Sequence, residues 1–148
     1  MSHTHIPAEL RRFVRERAQS RCEYCLFPES VSYAPHWIDH VVAEKHGGPT
    51  EEKNLAYSCI FCNQCKGSDL TSIDQETGDV VALFHPRRDR WLDHFQIEEG
   101  KIIPRTPTGR VTERLLKFNL PDRVAERELL LAVGLFGVQD PDDPGEGK

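Results

Sequence analysis

Two short stretches, Cys22-Glu23-Tyr24-Cys25 and Cys59-Ile60-Phe61-Cys62, decide how this chain reads. Each holds two thiols separated by two residues, so that both sulfurs of a tight turn face one ion. Thirty-three residues (26–58) lie between the pairs. Two such turns complete a tetrahedral four-sulfur site with no open position. The zinc expected there is therefore structural, and its binding energy is folding energy. A set of reduced core cysteines is the plainer alternative, which the doubled spacing disfavours. Cys65 extends the second pair to Cys-x2-Cys-x2-Cys, the start of an iron–sulfur pattern. That pattern requires Cys then Pro where the chain has Asp69-Leu70. Cys65 is left as a spare thiol, a small buried residue.

The rest of the composition suits one domain. The chain has 148 residues, 38% hydrophobic and 29% charged, within the globular range and away from disorder. Its longest apolar run, Leu129–Phe136, contains Gly134 and is far too short to span a bilayer. Met1–Pro7 is followed by charged residues from Glu9 to Arg17, which is no secretory leader. The expectation is a cytoplasmic protein with reduced cysteines and no membrane partner. The net charge of −5 counts against a general nucleic-acid coat. The balance is uneven, with Asp140, Asp142, Asp143 and Glu146 gathered at one end and Arg11, Arg12, Arg15, Arg17 and Arg21 clustered at the other. A locally basic cleft is compatible with that distribution.

Periodicity and punctuation predict an α+β domain over 1–138, with a core at 22–70 and an acidic disordered tail at 139–148. Ile6-Pro7-Ala8-Glu9 reads as a helix start. Trp37–Val42 reads as a strand, and Gly47-Gly48-Pro49-Thr50 as a turn. A short helix is expected near Asn63. Strands are expected over Val80–Phe84 and Lys101–Pro104, and helices over Thr108–Leu116 and Pro121–Val133, the last capped by Asn119. Arg90–Ile97 is ambiguous. The stripe Leu115, Leu116, Leu120, Val124, Leu129, Leu130 and Val133 reads as helix packing.

Between the cysteine pairs stand Trp37-Ile38-Asp39-His40, Gly47-Gly48 and Lys53-Asn54-Leu55, and Asn63 and Lys66-Gly67 follow at the second pair. A carboxylate beside an imidazole suits metal-assisted hydrolysis, because oxygen ligands bind hard divalent ions. Strand neighbours face opposite sides, so Asp39 and His40 converge only at a strand end or bulge.

This order of residues, from Cys22 to about Leu70, resembles the HNH nuclease family and its zinc-stapled ββα-metal finger. The later segments Leu83-Phe84-His85-Pro86-Arg87, Trp91, His94-Phe95 and Thr108-Gly109-Arg110 look like a bacterial branch of it, less specifically. The resemblance implies a metal-dependent endonuclease acting on DNA, or RNA, that leaves a 3′-hydroxyl and a 5′-phosphate. It implies His40 as the general base, a role suited to a side chain that titrates near neutrality. Asp39 then holds the catalytic divalent ion, and Asn54 positions the segment that bears the base. Asn63 stands where the third signature residue is often histidine. An oxygen-only site of this kind favours Mg²⁺ or Mn²⁺ over softer ions. Lys66, His85 and Arg87 are the substrate-binding candidates, with Arg88, Arg90, Arg105 and Arg110 as a wider basic track. His36, His46 and His94 are read as exposed or packing residues, and Trp37 and Trp91 as core.

The rival reading is a non-catalytic zinc module that binds nucleic acid or protein. It would keep the four cysteines and have no use for Asp39, His40, Asn54 and Asn63 together. Cutting both strands of a duplex would need a dimer or two encounters.

Overall fold

A computed structural model describes residues 5–138. The stretch expected to form an acidic tail lies outside the described residues. Eleven regular elements run in chain order: α1 (Ala8–Arg17), β1 (Trp37–His40), β2 (Leu55–Ser58), α2 (Ile60–Lys66), β3 (Thr71–Ile73), β4 (Val80–Ala82), α3 (Trp91–His94), β5 (Phe95–Glu98), β6 (Lys101–Pro104), α4 (Pro107–Leu115) and α5 (Pro121–Ala132). The strands pair as three antiparallel hairpins. The architecture is α+β, and none of its helices is long and apolar enough to cross a membrane.

Helix α1 starts after Pro7, with Glu9 in its first turn and Arg15 and Arg17 in its last, as the helix dipole favours. It seats Val14 against Leu55 and Tyr57 of β2, flanked by Leu10, Ala18 and Ile38. Gln19 and Ser20 then turn the chain with positive φ of 56° and 54°, delivering Cys22 to the four-cysteine knuckle. β1 and β2 pair Asp39 with Ala56 and His40 with Leu55, and α2 begins directly after Cys59. This β1–β2–α2 unit is the ββα finger expected from the sequence.

The main core is continuous with the cysteines. Cys22, Cys25, Cys59 and Cys62 are buried in one cluster with Tyr24, Phe84, Phe95, Ile102, Leu116 and Phe118. Four aromatic rings interlock there: Phe95 lies 5.6 Å from Phe84, 4.9 Å from Trp91 and 5.7 Å from Phe118.

Four expectations are corrected. β3 pairs with β4 around the Asp74–Gly78 turn, a strand that the sequence did not signal. Helix α4 is capped by Thr106, whose hydroxyl accepts from Gly109 N at 3.0 Å, and it starts one residue earlier than expected. Asn119 does not cap α5. Its amide clamps the β6 backbone instead, accepting from Ile102 N and donating to Ile102 O at 2.9 and 2.8 Å. Trp37 is not in the core, being 54% exposed at the start of β1.

The apolar stripe is the largest departure. Leu129 is 70% exposed, and Leu120 and Val133 are exposed as well. The buried face of α5 consists of Arg123 and Arg127. What that face meets is polar: thiolates and main-chain carbonyls. Arg127 donates to Gly100 O and Phe118 O, both at 2.6 Å, and Arg123 to Leu116 O at 2.8 Å. Arginine reaches several such acceptors at once with its planar fork, which leucine cannot do.

Candidate metal centres and active site

The four knuckle sulfurs lie within 4.8 Å of one another, all from buried residues. Cys25 Sγ and Cys59 Sγ are 3.7 Å apart. A tetrahedral zinc with Zn–S bonds of ~2.3 Å sets its sulfurs ~3.8 Å apart, so the cluster is of the right size. Main-chain N–H groups point at the sulfurs: Cys25 N at Cys22 Sγ at 3.4 Å and Cys62 N at Cys59 Sγ at 3.3 Å. Four thiolates around Zn²⁺ carry a net charge of −2. Arg123 Nη2 stands 3.3 Å from Cys62 Sγ and 3.9 Å from Cys59 Sγ, with its guanidinium 4.3 Å over the Phe61 ring. Burial disfavours the charge on Arg123, and the thiolates of Cys25 and Cys62 outweigh that cost, raising its pKa. Nothing in the sequence alone singles out this cation, which arrives from α5.

Asp39 lies on the inward face of β1, buried, and its two oxygens differ. Oδ2 accepts from Tyr24 Oη at 2.7 Å and pairs with Lys66 Nζ at 3.3 Å. Oδ1 faces the Asn63 amide at 3.5 Å. Burial pushes the Asp39 carboxyl up, against the pull of Lys66 and of the Tyr24 hydroxyl. Burial first, and then the Asp39 charge, hold the Tyr24 phenol protonated. The pairing of Asp39 with Asn63 fits a hard divalent ion, because carboxylate and amide oxygens are its preferred donors. The Asn63 amide offers its oxygen by a half-turn about its last bond, since the N and O ends occupy the same space.

His40 ends β1 and takes a different set of partners. Its Nε2 lies 2.9 Å from Thr50 Oγ1, and the Thr50 hydroxyl donates to Glu44 Oε1 at 3.2 Å. A hydroxyl has one proton, and here Glu44 receives it. His40 Nε2 must therefore donate to Thr50, and in the neutral ring Nδ1 is then the nitrogen with a lone pair. Thr50 and Glu44 were not among the residues singled out from sequence; the only signal was their position in the Glu44–Thr50 turn after His40.

Asn54 holds the shape of that turn. Its side chain accepts from Val42 N and donates to Val42 O and Pro49 O, each at 2.9 Å. Val41 N donates to the Asn54 main-chain carbonyl at 2.9 Å. Gly48 packs so closely on this latch that an added Cβ would stand 1.7 Å from Val42 O and 2.8 Å from Asn54 Nδ2. Only glycine fits.

The basic candidates divide. Lys66 was expected at a phosphate, but it is 2% exposed and spends its ammonium on Asp39 and on Val41 O at 3.0 Å. Arg87 is likewise engaged internally, with Glu23 and with Leu55 O at 3.4 Å, while Glu23 accepts from Tyr57 N at 2.8 Å. Arg87 thus braces the 85–90 loop against the knuckle and β2. Arg110 pairs with Asp74 at 2.8 Å, across to the β3–β4 turn. The exposed Arg88 and the half-buried His85, whose Nδ1 accepts from Arg87 N at 3.2 Å, face solvent. They line a cleft of about 600 Å³ with His46, Gly47, Gly48 and Lys53. Of the residues read as packing, Trp91 lies against the core and donates from Nε1 to Tyr24 O at 2.9 Å, and His94 Nδ1 meets Thr106 Oγ1 at 2.6 Å. His36 is buried against the Tyr57 ring.

Residues 22–69 match the family model described as HNH endonuclease. This segment is an HNH domain. Its bounds run from the first knuckle cysteine to just beyond α2, and they enclose both cysteine pairs, Asp39, His40, Asn54 and Asn63. The HNH family is one of nucleases, so the domain implies a nucleic-acid substrate. Neither the curated proteins nor the solved structures compared with the chain include a match.

Proposed function

We propose that this protein is a metal-dependent endonuclease that hydrolyses DNA phosphodiester bonds, with His40 as the general base. The observation that carries the reading is the chain Glu44–Thr50–His40. In a neutral imidazole this chain favours the tautomer that donates from Nε2 to Thr50, which supports Nδ1 as the nitrogen that accepts a proton, on the residue next to a buried carboxylate. A strand-end imidazole whose Nε2 is held by a hydroxyl has the form of a base already oriented for its task.

In this reading Asp39 Oδ1 and the Asn63 amide oxygen hold the divalent ion, Mg²⁺ or Mn²⁺. When bound, that ion stabilises the charge that develops on the phosphoryl group and on the leaving oxygen. His40 Nδ1 takes the proton from the attacking water as the water oxygen bonds to phosphorus. The bond from phosphorus to the 3′ oxygen breaks, giving a 3′-hydroxyl and a 5′-phosphate. Asn54 keeps the His40–Thr50 segment in place through its three side-chain hydrogen bonds. Arg88 and His85, in the cleft beside the Gly47-Gly48 turn, meet backbone phosphates of the substrate. The zinc is structural and takes no part in the chemistry.

The test is nicking of supercoiled plasmid with Mg²⁺ or Mn²⁺ by the wild type and by His40→Ala, at matched zinc content. Cleavage by the wild type that disappears in the variant is the expected result. Equal cleavage by both removes His40 from the mechanism. DNA binding with no cutting under any divalent ion moves the protein to the class of zinc-containing binding modules.

A further inference from the structure

The two metal centres share a residue. Tyr24 sits inside the first Cys-x2-Cys turn, with its amide N–H on Cys22 Sγ at 3.4 Å and its carbonyl held by Trp91 Nε1 at 2.9 Å. Its ring is buried, edge-on to Phe84 with centroids 6.5 Å apart. Fixed at both ends, the side chain delivers its hydroxyl to Asp39 Oδ2 at 2.7 Å. The partners of Asp39 from the other side are also placed by the knuckle, because Asn63 and Lys66 lie on α2 immediately after Cys62.

We infer that Tyr24 is a positioning residue that decides which oxygen of Asp39 meets the divalent ion. Oδ2 is occupied by two donors, the phenol and the Lys66 ammonium, and Lys66 is itself tied to Val41 O at 3.0 Å. Oδ1 meets only the Asn63 side chain, at 3.5 Å, among the described residues. A carboxylate held in this way is a one-oxygen ligand with a fixed direction, and it cannot rotate to chelate through both oxygens without breaking the phenol bond. Asp39 is thus oriented by the sulfur site, and filling that site with zinc becomes a precondition for tight binding at the oxygen site.

This inference rests on the proposed role of Asp39 as an ion ligand, and the test separates the two. Tyr24→Phe removes one oxygen and keeps the ring, so it is made in the full chain and its zinc content is measured first. Free Mn²⁺ is then titrated by electron paramagnetic resonance, and plasmid nicking is followed as a function of Mg²⁺ concentration. Removing the group that orients a ligand typically weakens ion affinity about tenfold to a hundredfold. The expected result is a loss of that size in Mn²⁺ affinity and in the Mg²⁺ concentration for half-maximal rate. Zinc content should be unchanged, and the rate should recover towards that of the wild type as Mg²⁺ reaches saturation. Unchanged Mn²⁺ affinity in Tyr24→Phe overturns the inference, as does loss of rate at saturating Mg²⁺ with the affinity intact. Loss of zinc from Tyr24→Phe also overturns it, since the hydroxyl would then be holding the knuckle and not the carboxylate. A wild type that binds no Mn²⁺ overturns the ligand role of Asp39 instead.

Discussion

Replacing Arg123 with methionine tests whether α5 is part of the zinc site or merely rests against it. Methionine preserves much of the stem volume and removes every donor. Leu116 O loses its partner at 2.8 Å and Lys117 O its partner at 3.1 Å. A buried acceptor left unsatisfied costs ~1–3 kcal/mol, and a hydrogen bond to a charged group, here the Cys62 thiolate, contributes ~1.5–3 kcal/mol. The stacking of the guanidinium on Phe61 adds ~0.5–1 kcal/mol. Lys117 is exposed, so water can reach its carbonyl, and one unsatisfied acceptor is the fair count. The total is about 3–7 kcal/mol, a large part of the ~5–15 kcal/mol that holds an ordinary domain together. Part of the loss must appear in the metal itself. Deleting the group that balances a ligand's charge weakens affinity about tenfold to a hundredfold. The assay is competition for zinc with a chromogenic chelator, beside a thermal melt of the zinc-loaded protein. Arg123→Lys keeps the charge and loses the fork, and it should fall between the two. A folded Arg123→Met protein whose zinc affinity lies within twofold of the wild type would refute the charge-balance argument.

Gly48→Ala forces a Cβ to within 1.7 Å of Val42 O, so the 41–54 turn must open and the Asn54 latch with it. Amide exchange across 41–54 should rise sharply and nicking should fall with it; protection equal to the wild type would mean that the turn relaxes freely. His85 is held below its ordinary pKa of 6.5, by burial first and by Arg88 second. A depressed folded value means that the unfolded chain takes up the proton more readily. His85 therefore leaves stability undiminished above about pH 6.5 and lowers it as the pH falls toward the folded value. An NMR titration should place its midpoint below 6.5 and move it part of the way back in Arg88→Gln. A midpoint at or above 6.5 in the wild type would contradict the burial.

The parts of the centre that could be read from the sequence are those governed by local spacing. Two residues between thiols fix the knuckle, and the β-forming Trp37–His40 run fixes the strand that carries Asp39 and His40. The parts that could not be read are set by partners distant in sequence. Lys66 and Arg87 look like surface cations because lysine and arginine are seldom buried without a partner. Their partners, Asp39 and Glu23, come from other segments, Glu23 from 64 residues away. Helix α5 misled for a related reason. Its leucines predict an apolar inward face, but the surface that it covers offers sulfur and carbonyl oxygen, which select Arg123 and Arg127. Tyr24 is not legible from sequence, because a tyrosine within a Cys-x2-Cys turn reads as filler until the strand opposite brings a carboxylate to its hydroxyl.

The continuity of the core with the knuckle limits how this HNH unit can be transplanted. The HNH segment ends at residue 69, but the cysteines share their apolar surroundings with Phe84, Phe95, Ile102, Leu116 and Phe118 and take their counter-charge from residue 123. The segment is therefore not a cassette. A chimaera carrying only 22–69 into another scaffold would have to find there a new aromatic floor for Tyr24 and a new cation for the sulfurs. Exchanges between relatives should succeed most readily when the break points lie before α1 and after α5.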